Sequence, residues 1–228
     1  MVEGMPPESL RRYIERMTPL YSSDLDRYIR DLLPPRDPVV VEMEALAQER
    51  NIPIVGPAVA TLLSTLAASI AARRVFELGS AIGYSTAFFA SAVGPGGKVF
   101  YTDGDPQNAR AARGYLSRLG LSERVDFGIG EAIGLIQKTA GDFDVVFIDI
   151  DKEGYPAALE AAAPRVRPGG YLLADNVLWS GKVVDAGIRD AATEGIREFN
   201  RRLFARTDFV SVIVPLRDGV AIARKRAS

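Results

Sequence analysis

From Arg74 onward the chain alternates short apolar runs with helical patterns, and this alternation leaves few folds open. The apolar runs fall at 74–79, 98–103, 124–129, 143–149, 170–175, 208–214 and 219–225, with helical periodicity at 84–92, 106–119, 131–139, 154–163 and 191–205. Strands and helices in strict alternation predict a parallel sheet covered on both faces. The last two runs are joined only by Pro215-Leu-Arg-Asp-Gly219. That link is too short for a parallel crossover, so the final pair must be an antiparallel hairpin. The expected fold class is α/β: a Rossmann-like, doubly wound, seven-stranded sheet ending in an antiparallel hairpin.

Before this pattern the chain reads as helical. Residues 9–17, 23–33 and 38–50 carry apolar side chains at helical spacing and are separated by Thr18-Pro19 and Pro34-Pro35-Arg36-Asp37-Pro38. After a kinked loop at 51–57, residues 58–72 form a further helix with Leu62, Leu63, Leu66 and Ile70 on one side. With 228 residues and 47% hydrophobic content, one substantial core is expected. We therefore read a single domain over 1–228, in which 1–72 is a helical layer and 73–228 the α/β core. Arg11, Arg12, Arg16, Arg27, Arg30 and Arg36 recur in that layer. They read either as a solvated or subunit-contact face or as an anion-binding one.

Composition removes several classes of chemistry. The chain has no histidine and no cysteine, which excludes disulfides, His-dependent triads and the usual zinc, haem and iron-sulfur sites. Any metal must be held by oxygen. A formal net charge of -1 gives no overall pull toward nucleic acid or an anionic membrane. No apolar run reaches the length of a membrane span, so a soluble, cytoplasmic protein without a membrane partner is expected.

Ligands of doubly wound sheets collect at the carboxyl ends of the strands. The first strand ends in Glu77-Leu-Gly79, and Gly79 and Gly83 frame a tight turn into a helix whose first amides face any ligand there. The spacing is neither a dinucleotide fingerprint nor a Walker motif. At the second strand end, Asp105 before Pro106 has the form of a helix cap. That leaves Asp103, roughly 20 residues after the glycine turn, to accept hydrogen bonds from both ribose hydroxyls of an adenosine cofactor. After the third strand, the backbone of Glu131 and Ala132 is placed to edge the adenine, although Glu131 equally suits the helix dipole. The fourth and fifth strands end in Asp149-Ile-Asp151-Lys152 and Asp175-Asn176. As neighbours they would bring Asp149, Asp175 and Asn176 to one spot, an oxygen set suited to magnesium, with manganese or calcium as alternatives. The competing reading makes these residues caps and turns, and Asp151 is expected to be a cap.

Taken together, the motifs resemble those of the cation-dependent S-adenosylmethionine O-methyltransferase family, the caffeoyl-coenzyme A and catechol type, in its bacterial form. They are Phe76-Glu-Leu-Gly-Ser-Ala-Ile-Gly-Tyr-Ser85, Thr102-Asp-Gly-Asp-Pro106, Phe147-Ile-Asp-Ile-Asp-Lys-Glu-Gly-Tyr155, Val166-Arg-Pro-Gly-Gly170, Asp175-Asn-Val-Leu-Trp-Ser-Gly181 and Pro215-Leu-Arg-Asp-Gly219. The resemblance implies a class I methyltransferase fold, S-adenosylmethionine and a divalent cation as cofactors, and methyl transfer to a catechol-like or other small phenolic hydroxyl. It places Glu77, Gly79 and Ser85 along the methionine part of the cofactor and Asp103 on its ribose. It makes Asp149, Asp175 and Asn176 metal ligands, with Asp149 shared by the catalytic and cofactor sites, and Lys152 the general base. Trp179 stands where relatives set an aromatic against the substrate, and a packing anchor is the other reading of it. Ala58 and Ala60 depart from the glutamate and glycine common in the family. A homodimer is expected, and tRNA carrying a hydroxylated uridine is the alternative acceptor, with the N-terminal arginines meeting phosphates.

Overall fold

The computed structural model describes residues 23–227. The chain divides into two compact units, Met1–Leu33 and Pro34–Ser228. In the first, helix α1 (Ser23–Asp31) carries acidic residues in its first turn and Arg30 in its last, which suits the helix dipole. The helix expected at 9–17, with Arg11, Arg12 and Arg16, lies outside the described residues.

The second unit begins with α2 (Pro38–Arg50) and α3 (Gly56–Ser69). The Asp37 side chain accepts the Val39 N–H, Pro38 occupies the first turn, and Asn51 in the left-handed region ends α2. These are the capping devices that such residues provide at helix ends. The alternating region follows: β1 (Arg74–Leu78), α4 (Tyr84–Ala92), β2 (Lys98–Asp103), α5 (Pro106–Arg118), β3 (Val125–Ile129), α6 (Ala132–Lys138), β4 (Phe143–Ile148), α7 (Tyr155–Ala162), β5 (Val166–Ala174), α8 (Ala191–Ala205), β6 (Phe209–Val214) and β7 (Val220–Lys225). The seven strands form one sheet in the order β3-β2-β1-β4-β5-β7-β6. β1 to β5 pair in parallel, whereas β7 is antiparallel to both β5 and β6. The expected closing hairpin is thus present, with its second strand inserted between β5 and β6.

Side-chain alternation along the central strands feeds two cores. Val75, Val145, Phe147 and Leu173 pack with α2, α3, α4 and α5. Phe76, Leu78, Val146, Ile148 and Leu172 pack with α6, α7 and α8. Because both faces are covered, β1 and β4 are mostly apolar; of their charged residues Arg74, Glu77 and Asp144, only Glu77 is fully buried. No described helix is long and apolar enough to cross a membrane.

Most boundaries fall within one residue of the sequence reading; α1 and α3 end two and three residues earlier than expected, and two elements begin two or more residues earlier. β5 begins at Val166 rather than 170, because the buried Val166 pairs with Phe143 and the Pro-Gly-Gly run is absorbed as a register shift before Tyr171. α3 begins at Gly56 rather than 58, since Pro57 is compatible with the first turn of a helix.

Candidate active site

The ends of β1, β4 and β5 lie side by side, with Leu78 paired to Ile148 and Ile148 to Ala174. Their next residues continue the contact: the Asp149 N–H donates to Leu78 O at 2.8 Å and the Asp175 N–H to Ile148 O at 3.2 Å. Glu77, Gly79, Asp149 and Asp175 are therefore carried on adjoining strand ends, as expected for neighbouring β4 and β5.

Gly79 has φ +88°, and a Cβ there would stand 2.1 Å from the Asp149 carbonyl oxygen. Gly83 has φ +83° and lies against the Ala112 side chain. Both positions exclude larger residues, and the close approach is to protein rather than to open space. Glu77 is fully buried, with its Oε2 accepting from the Ser80 and Thr86 hydroxyls. Its Oε1 has no hydrogen-bond partner among the described residues. Burial pushes its pKa up to about 7, against the opposing pull of the Ser85, Thr86 and Ser80 hydroxyls.

Asp103 is more engaged than its place at a strand tip implies. Its Oδ1 accepts from the Asp105 N–H at 2.7 Å and Asn108 Nδ2 at 3.1 Å, and its Oδ2 from the Ala81 N–H at 3.0 Å. Of about four acceptor positions on a carboxylate, these leave one on Oδ2 for a further donor. Asp105 caps α5 as expected, accepting the Gln107 N–H at 2.8 Å. Glu131 caps α6 through the Ile133 and Gly134 N–H groups, and the buried Ala132 opens that helix. Asp151 makes no side-chain capping bond. This corrects the expectation for Asp151: only its carbonyl is used, accepting the Gly154 N–H at 2.9 Å.

Asp175 is 3% exposed, and its Oδ1 is buried without a hydrogen-bond partner among the described residues. Its pKa is raised by burial first and by the Asp149 charge second. Asn176 follows in the left-handed region at φ 55°. Lys152 Nζ donates to Asp149 Oδ1 at 2.9 Å, Ile150 O at 3.1 Å and the Tyr155 hydroxyl at 3.0 Å. Tyr155, fully buried, in turn donates to Asp175 O at 2.9 Å. Burial pushes its pKa well up, aided by the charges of Asp149, Asp175 and Asp218, so the hydroxyl stays protonated. Tyr155 thus ties Lys152 to the strand that carries Asp175, a link sequence reasoning did not find. The spacing of three between Lys152 and Tyr155 was its one visible trace. Gly195 of α8 is another residue near Lys152 that sequence reasoning did not single out: a Cβ there would lie 2.3 Å from the Lys152 carbonyl oxygen.

The wall beyond is made of loops. Trp179 has φ 49° and a buried Nε1 with no hydrogen-bond partner among the described residues; it packs on the α6–α8 core, and its ring lies 5.9 Å from Lys152 Nζ. These contacts are those expected of a packing anchor. The turn between β6 and β7 is sewn to this loop: Gly219 O accepts the Val177 N–H, Asp218 O the Leu178 N–H, and Asp218 Oδ1 the Ser180 N–H. Ala58 and Ala60 are buried in packing. Of the arginines expected as a possible anion-binding face, Arg27 pairs with Asp24 at 3.5 Å and Arg36 with Glu44 at 2.7 Å.

Among the described residues, no group of three or more His, Cys, Asp or Glu is arranged to hold a metal. The expected set is smaller, two carboxylates and one amide, and the buried unpartnered Asp175 Oδ1 beside Asp149 fits an oxygen-held cation. In the same way, the unpartnered Glu77 Oε1 fits a ligand with a donor or positive group at the glycine turn.

Comparison with known proteins agrees with this geometry. The profile of a family described as O-methyltransferase matches residues 39–226. A catechol O-methyltransferase of Niastella koreensis is 34% identical over 210 residues, covering 87% of this chain and 95% of that protein. Caffeoyl-CoA O-methyltransferase 1 of Arabidopsis thaliana is 28% identical, covering 90% and 86%. The crystal structure of an O-methyltransferase from Bacillus cereus in complex with SAH superposes with a TM-score of 0.82 at 30% identity, covering 89% of this chain and 97% of that one.

Proposed function

As the chain belongs to the O-methyltransferase family, we propose that it moves the methyl group of S-adenosylmethionine to a hydroxyl of a catechol-like or other small phenolic acceptor, with a divalent cation held by Asp149, Asp175 and Asn176. S-adenosylmethionine dependence and the catechol or caffeoyl-CoA type of O-methylation follow from the family and its relatives. The cation and the phenolic acceptor are the finer reading. The observation that carries it is the buried Asp175 Oδ1, which has no hydrogen-bond partner among the described residues and lies beside a second carboxylate.

In this reading Glu77, Gly79, Gly83 and Ser85 bind the methionine part of the donor, Asp103 its ribose, and Glu131 and Ala132 edge its adenine. A divalent cation, magnesium foremost, supplies a Lewis acid that lowers the pKa of an acceptor hydroxyl and orients it. Lys152, in the neutral form that has given one of its three protons to solvent, takes the hydroxyl proton at Nζ, and Tyr155 holds that nitrogen next to the Asp149–Asp175 pair. Trp179 closes the acceptor side and limits water. Holding acceptor oxygen and methyl carbon in line supplies much of the rate.

The test is methyl transfer from labelled S-adenosylmethionine to small catechols, including caffeoyl esters, and to tRNA, with and without chelator. Labelled catechols that disappear with chelator and return with magnesium are expected. Full activity in chelator removes the cation, and label in tRNA alone removes the phenolic acceptor.

A further inference from the structure

Arg217 stands in the turn between β6 and β7 with φ 51°, in the region that disfavours side chains other than glycine. Such strain persists where surrounding contacts hold it. Here Nη1 donates to the carbonyls of Ile54 and Val55, in the loop leading into α3. The missing side chain of Gly56 leaves room for the guanidinium, since a Cβ there would lie 2.6 Å from Nη1. Arg217 is nevertheless exposed, and among the described residues Nε and Nη2 have no hydrogen-bond partner. The next two residues, Asp218 and Gly219, are bonded to the Trp179 loop. The charge of Arg217 also reaches Asp175 and Tyr84, where it partly opposes the rise in pKa that burial gives each. The guanidinium is thus anchored by one nitrogen on the rim of the strand-end site, with its Nε–Nη2 edge unused. That edge is the fork that binds a carboxylate through two parallel hydrogen bonds.

Resting on the phenolic-acceptor reading above, we infer that Arg217 is a specificity-determining residue that selects acceptors bearing an anionic substituent, such as a carboxylate on the ring or its side chain. Anchoring Nη1 on backbone carbonyls reduces the freedom lost when such an acceptor binds. A structural latch alone would not distinguish charged from uncharged acceptors.

The experiment measures kcat/KM for 3,4-dihydroxybenzoate and for catechol, with magnesium present, in the wild type and in Arg217→Gln and Arg217→Lys. Wild type should favour the acid, and Arg217→Gln should lower the acid-to-catechol ratio by about tenfold or more, mainly through KM of the acid. Arg217→Lys, which keeps the charge but not the fork, should recover part of that ratio. S-adenosylmethionine affinity by calorimetry reports whether the variants are folded. An unchanged ratio, with both acceptors falling together, would overturn the inference and leave Arg217 as a latch. Equal use of both acceptors by the wild type would also overturn it while the phenolic reading stands. Transfer to neither acceptor overturns the phenolic reading and this inference with it.

Discussion

The two ends of the sheet use the same residue types to opposite effect. At the amino end of β4, Asp144 accepts the Arg73 N–H at 2.7 Å, the Arg74 N–H at 2.8 Å and Arg167 Nε at 2.5 Å. Although burial pushes its pKa up, Arg167 and those backbone groups hold it below the usual carboxylate range. Nearby, Arg165 donates to the carbonyls of Ile136, Thr139 and Gly141, while Arg74 lies over the Phe100 and Phe143 rings. At the carboxyl end, Glu77 Oε1, Asp175 Oδ1 and Trp179 Nε1 are buried without hydrogen-bond partners among the described residues, and both acids have raised pKa values. An unpaired buried polar group costs stability, so the difference separates an end that secures the fold from one arranged for ligands.

The largest expected break concerns activity. Lys152→Met should lower turnover by about 10² to 10⁴ at neutral pH in a labelled-transfer assay, with a melting temperature near wild type. Asp175→Asn should abolish magnesium-dependent transfer while leaving the unliganded protein as stable as wild type or more so at pH 8, since a buried charge with an unpartnered oxygen has been removed. A marked loss of thermal stability in Asp175→Asn would show that both ends serve the fold alike.

The opposite pattern is expected at the other end. Asp144→Ala leaves the Arg73 and Arg74 N–H groups without their acceptor and should cost on the order of 3 kcal/mol, a drop of roughly 6–12 °C in melting temperature for a chain of this size. Its kcat at a temperature where it is folded should stay near wild type.

Asp103→Ala should weaken S-adenosylmethionine binding about tenfold by calorimetry, the worth of one charge-assisted hydrogen bond rather than two. A loss of about a thousandfold or more, beyond what one such bond supplies, would mean that cofactor binding rearranges the Asp103 contacts.

The smallest effect sharpens the contrast through pH. Glu77 titrates near 7 in the folded chain and near 4.5 when unfolded, so the folded state holds more protons between these values. Its contribution is therefore least unfavourable below about pH 4.5, and stability falls as pH rises toward 7. Glu77→Gln should flatten that part of a melting-temperature profile, and a profile identical to wild type would show that Glu77 is ionised throughout.

How much was legible in the sequence follows the same division. Strand and helix limits were readable because apolar runs are bounded by Asp, Pro and Gly whose capping and turning roles are local, as at Asp37, Asp105 and Gly83. The placement of Asp149 and Asp175 followed from strand adjacency alone. The Tyr155 link to Asp175, the Arg217 anchor on Ile54 and Val55, and the prior occupation of Asp103 depend on contacts between side chain and backbone that no local pattern encodes. Asp151 shows the converse: a residue type suited to capping whose side chain does not cap.

The insertion of β7 between β5 and β6 also sets a clock. β6 has no sheet neighbour other than β7, and β5 has none on that side until β7 arrives. At a synthesis rate of about 5–20 residues per second, the residues between Ala174 and Val220 take several seconds to appear. Throughout that interval the growing chain exposes the unpaired edge of β5, the kind of edge on which other strands add, and β6, once made, has no sheet partner until β7 follows. Chains interrupted before residue 220 would therefore be sticky rather than merely short, and the moment of greatest aggregation hazard would fall late in synthesis, just before the sheet can close.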